Sequence, residues 1–207
     1  MRILYNPAET STPFMVLSMI ALAGMMVGVI HPAASIVREK ERATVEQLMV
    51  TPINIGELFT AKTLPTMMMG LLSVSISLLI VTWFNVPMRG SVVFFLTVTA
   101  VFLLSAISLG VFIATISSTL QQALLLAFFA LFPIMFLSGT LAPVEAMPEF
   151  LQRLSLLSPL RYYMDATLGI FLKGAGFGDL WKHLLIMLVF GLGLFVASLS
   201  VFRKLLR

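Results

Sequence analysis

Four stretches of this chain carry no charged residue: Thr10 to Val37, Thr63 to Met88, Gly90 to Val144 and His183 to Phe202. A helix needs only about 20 apolar residues to cross a bilayer, and the third stretch is long enough for two. The pattern predicts five spans, at roughly 12–36, 64–84, 91–117, 121–141 and 184–202. Charged residues make up 11% of the chain, against about 25% in a soluble domain. So few cannot clothe a water-facing surface. In lipid every backbone polar group must be satisfied internally, and long unbroken apolar runs do this as helices. The expected fold class is therefore all-α: a polytopic membrane protein with about five transmembrane helices, residues 1–207 forming a single transmembrane domain.

The net charge is +4, but the basic residues flank apolar spans, which is membrane-edge anchoring and not a nucleic-acid surface. With no cysteine, disulfides and thiolate-ligated metals are excluded. The first apolar run is longer than the core of a secretory signal, and Arg2 is the only basic residue before it. If the loop after span one is cytoplasmic, its side holds Arg38, Lys40, Arg42, Lys62, Arg203, Lys204 and Arg207. The other side holds Arg2, Arg89, Arg153, Arg161, Lys173 and Lys182. That is no decision under the positive-inside rule, and the cluster after span five tilts toward a cytoplasmic C-terminus.

Charge gathers in one place. Seven of the 22 charged residues lie between Arg38 and Glu57. Val45, Leu48 and Met49 fall at helical spacing while Glu39, Lys40, Arg42, Glu46 and Gln47 line the rest, so the stretch reads as an amphipathic helix. Thr51-Pro52 ends it, and a second short amphipathic piece, Ile53 to Ala61, leads into span two. Within the spans, Gly24 and Gly28 form a pattern that permits close helix approach, a dimer face being one of its uses. Ala106, Gly110, Ala114 and Ser118 make a small-residue stripe suited to helix packing. His31-Pro32 suggests a kink, and Trp83 and Trp181 stand at span edges.

Residues 142–182 are apolar but broken by Pro143, Pro148 and Pro159. Pro148 and Pro159 suit helix first turns, Glu149 suits the first helix and Ser158 would cap the second. A helix from Pro159 to about Leu172 is too short to cross, so two short helices dipping into one leaflet are expected. Glu145, Glu149, Arg153, Arg161 and Asp165 then need partners or water. Glycines at 174 and 176 stop the second helix.

Three segments together resemble the permease subunits of ABC exporters of the second type: Ser35 to Pro52 with Glu57, Leu58 and Lys62; Leu137 to Pro148; and Leu157 to Tyr163 through Gly169 to Gly174. The resemblance implies that 38–61 is a cytoplasmic coupling segment docking an ATPase through Arg38, Glu39, Lys40, Glu41, Arg42, Thr44, Val45, Glu46, Gln47, Leu48, Thr51 and Pro52. It implies that 142–182 is an outer re-entrant hairpin, with Glu145, Pro148, Pro159, Arg161, Tyr162 and Asp165 as gate residues. The implied partners are cytoplasmic ABC ATPase subunits, a second permease subunit, identical or similar, and membrane lipid. No cofactor belongs to this chain; ATP and Mg would be bound by the ATPase. The implied location is a bacterial inner membrane. The family usually has six helices, so the resemblance implies a first helix missing ahead of Tyr5-Asn6-Pro7, a shortened chain and no transport by it alone.

Other classes fit less well. No G-x-x-x-x-G-K-[ST] phosphate loop occurs, and His31 and His183 lie in no hydrolase or metal motif. An ion-coupled carrier needs ionisable groups near midplane, and the spans have essentially none. A non-transporting fragment or assembly subunit is the remaining alternative.

Overall fold

The computed structural model describes residues 12–41, 55–140, 144 and 147–205. Among the described residues the chain is helical, without strands. The helices are α1 (Thr12–Glu41), α2 (Ile55–Trp83), α3 (Val92–Ile116), α4 (Leu120–Leu137), α5 (Glu149–Ser155), α6 (Pro159–Leu168) and α7 (Phe177–Leu205), with a π-helical turn at Gly169–Lys173. Five segments are long and apolar enough to cross a membrane: Pro13–Glu41, Thr63–Trp83, Val92–Ile116, Leu120–Leu137 and Phe177–Val201. The expected count of five holds.

Three expected boundaries move. Arg38 to Glu41 continue α1 and are not the start of a separate helix, and Ile55 to Ala61 are the first turns of α2. The proposed amphipathic stretch at 42–54 lies outside the described residues. At the far end α7 begins at Phe177, so residues 177–182 belong to the last helix and not to the hairpin segment 142–182. The cause is its polar first turn. The Asp179 carboxylate accepts from the Gly176 amide at 3.2 Å, a favourable placement at a helix N-terminus that an apolar-run criterion does not see.

Local chemistry sets the turns. Val86 N–H donates to Val81 and Asn85 N–H to Thr82, at 3.0 and 3.1 Å. Asn85 adopts φ 51°, so α2 closes in a Schellman arrangement on a residue that tolerates the left-handed region. Ser91 and Thr119 cap α3 and α4 by accepting from Phe94 and Gln122 amides. Gly174, at φ 67°, stops the π turn as expected.

More than half of the 25 residues of α3 are buried, and α1, α2, α6 and α7 all pack on it. Small residues allow this. A Cβ on Gly28 would lie 2.6 Å from that of Ala106, one on Gly110 would collide with the Val29 carbonyl oxygen, and one on Gly191 would meet Ser105 backbone at 3.0 Å. Ser105 Oγ also donates to the Met187 carbonyl at 2.6 Å. The Gly24–Gly28 pattern is therefore used within the chain, against α3. Of the small stripe, Ala106, Gly110 and Ala114 are buried, whereas Ser118 lies exposed in the turn beyond the helix. By contrast α2, α4 and α7 turn Leu72, Leu79, Phe128, Phe129 and Val189 outward, as lipid-facing helices do.

Two sets of contacts define the ends of the bundle. Lys40 of α1 reaches the last residues of α3, so the C-terminus of α1 and the α3–α4 turn share one end. Arg89 N–H donates to the Phe171 carbonyl at 3.0 Å, so the α2–α3 turn and the π turn share the other, where Trp83 and Trp181 are exposed.

Single cysteines test this arrangement, since the chain has none. N85C and G176C should label from one side of the membrane with an impermeant thiol reagent and S118C from the other; N85C and S118C labelling together would disprove it. Gly110→Ala should destabilise by about 1–3 kcal/mol, because backbone carbonyl cannot yield to the added carbon. Gly193→Ala, with nothing within 4 Å, should not. Thermal unfolding in detergent compares the two.

Candidate functional site

The last turn of α1 is where charge meets the bundle. Lys40 Nζ donates to the carbonyls of Ala114, Thr115 and Ser117 at 2.6, 3.1 and 3.4 Å. These carbonyls end α3, where the last four carbonyls have no partner within the helix and the dipole is negative. Its neighbour Glu41 does the opposite job. Leu120 N–H donates to Glu41 Oε1 at 2.7 Å, placing a carboxylate on the positive N-terminus of α4. Two consecutive residues of opposite charge thus hold the two helix ends that one short turn brings together. The turn completes itself from inside: Gln122 N–H donates to Thr119 Oγ1 at 3.2 Å and Ser118 N–H to Gln122 Oε1 at 2.9 Å, close to a capping box.

Beside this clamp, α1 and α2 enclose a groove of about 740 Å³. Met26, Val27, Ile30, Ala34 and Met69 line its apolar part, and His31, Ser35, Arg38 and Glu39 its polar part. His31 Nδ1 is 3.1 Å from Thr66 Oγ1, joining α1 to α2. Of three consecutive methionines in α2, Met68 and Met69 face outward while Met67 packs on the core.

At the opposite end, α5 and α6 form a short helical pair. Pro148 precedes α5 and Pro159 opens α6, as expected. Ser158 occupies the cap position without a capping bond; its hydroxyl turns instead to the Ile134 carbonyl at 3.4 Å, tying α6 to α4. Leu160, Tyr163, Met164 and Ala166 are buried. The Tyr163 ring stacks on Phe102 with centroids 4.0 Å apart and planes at 5°, and its hydroxyl lies 3.0 Å from Thr99 Oγ1. Phe102 is about 15 Å along α3 from its start, so α6 meets α3 close to the middle of that helix. Phe171 meets Phe95 edge-on at 5.1 Å.

The hairpin's charged residues are accommodated at its edge. Arg161 donates to Ser155 Oγ and to the Gln152 carbonyl, bracing α6 against α5. Tyr162 donates to the Leu156 carbonyl at 2.9 Å and faces the His183 ring edge-on. Asp165, Glu149 and Arg153 are exposed. Glu145 lies outside the described residues.

The structure therefore brings Arg38, Glu39, Lys40 and Glu41 to one end of the bundle and Pro148, Pro159, Arg161, Tyr162 and Asp165 to the other. Arg42, Thr44, Val45, Glu46, Gln47, Leu48, Thr51 and Pro52 lie outside the described residues. The spans expected at 91–117 and 121–141 already left a short turn between them; what sequence reasoning missed is that the turn at Ser117–Thr119 receives Lys40 and Glu41. Its signal was Thr119 three residues before Gln122, a helix start set directly after a helix end.

Known proteins supply the wider setting. A family model described as ABC-2 family transporter protein matches residues 2–200. An Escherichia coli protein named "Probable multidrug ABC transporter permease YbhR" is 33% identical over 97% of this chain and 55% of its own length. Another from Escherichia coli, "Inner membrane transport permease YhhJ", is 31% identical over 86% of this chain and 48% of its own. "ABC transporter G family member 20" of Dictyostelium discoideum is 27% identical over 96% of this chain and 28% of its own. The chain spans about half the length of the two bacterial relatives. A match that runs from residue 2 to residue 200 takes in six of the seven helices whole and most of α7, and on that ground the chain belongs to the ABC-2 transporter family.

Proposed function

We propose that this chain is the membrane-spanning permease part of an ATP-driven exporter in a bacterial inner membrane. Its helices form part of the translocation pathway together with a second permease subunit. ATP, with Mg, is bound and hydrolysed by separate cytoplasmic ABC ATPase subunits and not by this chain. Arg38 to Thr51 is the segment that meets the ATPase, and α5 with α6 is the outer gate. By analogy with the relative named as a multidrug permease, the cargo is drug-like and amphipathic, which suits a groove with methionines at one end and Arg38 at the other.

The observation that carries this reading is the clamp. Charge is scarce in the chain, and where it gathers, two residues tie the base of the charged segment to the α3–α4 turn. A segment anchored in that way can receive force from a soluble partner and pass it into the membrane helices.

The test is capture of an ABC ATPase subunit by the membrane-inserted chain. The triple variant Arg42→Glu, Glu46→Lys, Leu48→Ala should lose capture while still inserting, with Leu48 alone worth about 2 kcal/mol as a central contact. Undiminished capture by the triple variant would remove the docking role of this segment.

A further inference from the structure

Lys40 and Glu41 end α1, so a displacement of the segment that follows enters the bundle through them on that side. What they hold is specific. Lys40 satisfies three carbonyls that α3 leaves open, and Glu41 satisfies the first amide of α4, Leu120. Hydrogen bonds to charged groups are stronger than neutral ones, and each here also answers a helix dipole. The end of α1 and the α3–α4 turn are therefore fastened as one body. From the turn, α3 runs back to Phe102, which stacks on Tyr163 of α6. One helix thus links the clamp at one end to the hairpin dipping in from the other.

Resting on the permease reading, we propose that Lys40 and Glu41 are positioning residues that carry movement of the ATPase-facing segment into α3 and α4, and through α3 to the α5–α6 hairpin. Although both lie within the segment proposed to meet the ATPase, their polar groups are bonded to the α3–α4 turn, so this role needs no contact of theirs with the ATPase. This differs from a purely architectural cap in one respect. Loss of the clamp should silence the hairpin's response to nucleotide in a complex that is still folded.

The experiment places a single cysteine at exposed Leu157, in the loop joining α5 to α6, in the chain reconstituted with the ABC ATPase it captures. Alkylation of L157C by a maleimide is timed with and without a non-hydrolysable ATP analogue. In the parent the analogue should change the rate, and in Lys40→Met and Glu41→Ala that change should shrink about fivefold or more. Leu120→Pro attacks the same bond from the other side. It removes the amide that Glu41 accepts, at the first position of a helix, where proline is well tolerated, behind a Thr119 already extended at ψ 154°. It should reproduce the loss with neither charged residue touched, and it decides the matter alone if the other two variants fail to fold. Glu41→Gln, which keeps an acceptor oxygen, should recover most of the response. Responses within about twofold of the parent in Leu120→Pro and Glu41→Ala would overturn the proposal, as would a parent that captures the ATPase and shows no response. Failure of the parent to capture any ATPase overturns instead the permease reading beneath it.

Discussion

Close approach of helix backbones to α3 is the constraint on which the rest of this structure depends. In lipid, burying one apolar helix against another removes no water, so association rests on packing and on hydrogen bonds between helices. The chain meets that condition with small residues at the contacts. Gly28 lies on Ala106, Gly110 lies under the Val29 carbonyl and the Pro32 ring, and Gly191 lies on the Ser105 backbone. Pro32 fits the same logic. It removes the hydrogen bond that would reach the Gly28 carbonyl, and the space its ring needs is the space Gly110 vacates. With α1 and α7 drawn close to α3, the outer helices α2 and α4 keep large side chains such as Leu79 and Phe129 for the surroundings.

Helix ends pose the second problem. Each terminus exposes backbone groups without partners, and a turn as short as Ser117–Thr119 sets two termini side by side with opposite partial charges. The last turn of α1 answers both with one lysine and one glutamate. A reversed order of charges there would set like sign against like at each end. The same residues stand at the exit toward the charged segment, so the most polar part of the chain is fastened to its most buried helix.

The opposite end solves a different problem, that of seating a helix too short to cross. α6 buries one side, with Leu160, Tyr163, Met164 and Ala166 enclosed, and leaves Asp165 exposed on the other. Several polar groups of this region turn to protein partners: Tyr163 to Thr99, Ser158 to Ile134, Arg161 to Gln152 and Ser155. The hairpin is thus part of the packed bundle, and its stacking on Phe102 makes α3 common to both ends.

Much of this was legible in the residues. Charge-free length alone predicts five crossings, because hydrocarbon tolerates no other arrangement of that many apolar residues. Pro148, Pro159 and Gly174 mark the hairpin's joints through fixed or left-handed φ, and the clustering of charge at Arg38 to Glu57 marks the end that meets water. Helix starts with polar first turns, such as α7 at Phe177, and the continuation of α1 to Glu41 were not legible from hydropathy, since capping and tertiary partners decide them. Which small residues face which helix was likewise open, and the Gly24–Gly28 pattern could have served a dimer until Ala106 and Phe102 were seen to occupy it. Lys40 and Glu41 read in sequence as two more charges in a charged run. Only the fold places them on the termini of α3 and α4, because those termini lie more than 70 residues away and no local periodicity records which helix ends the packing will bring together.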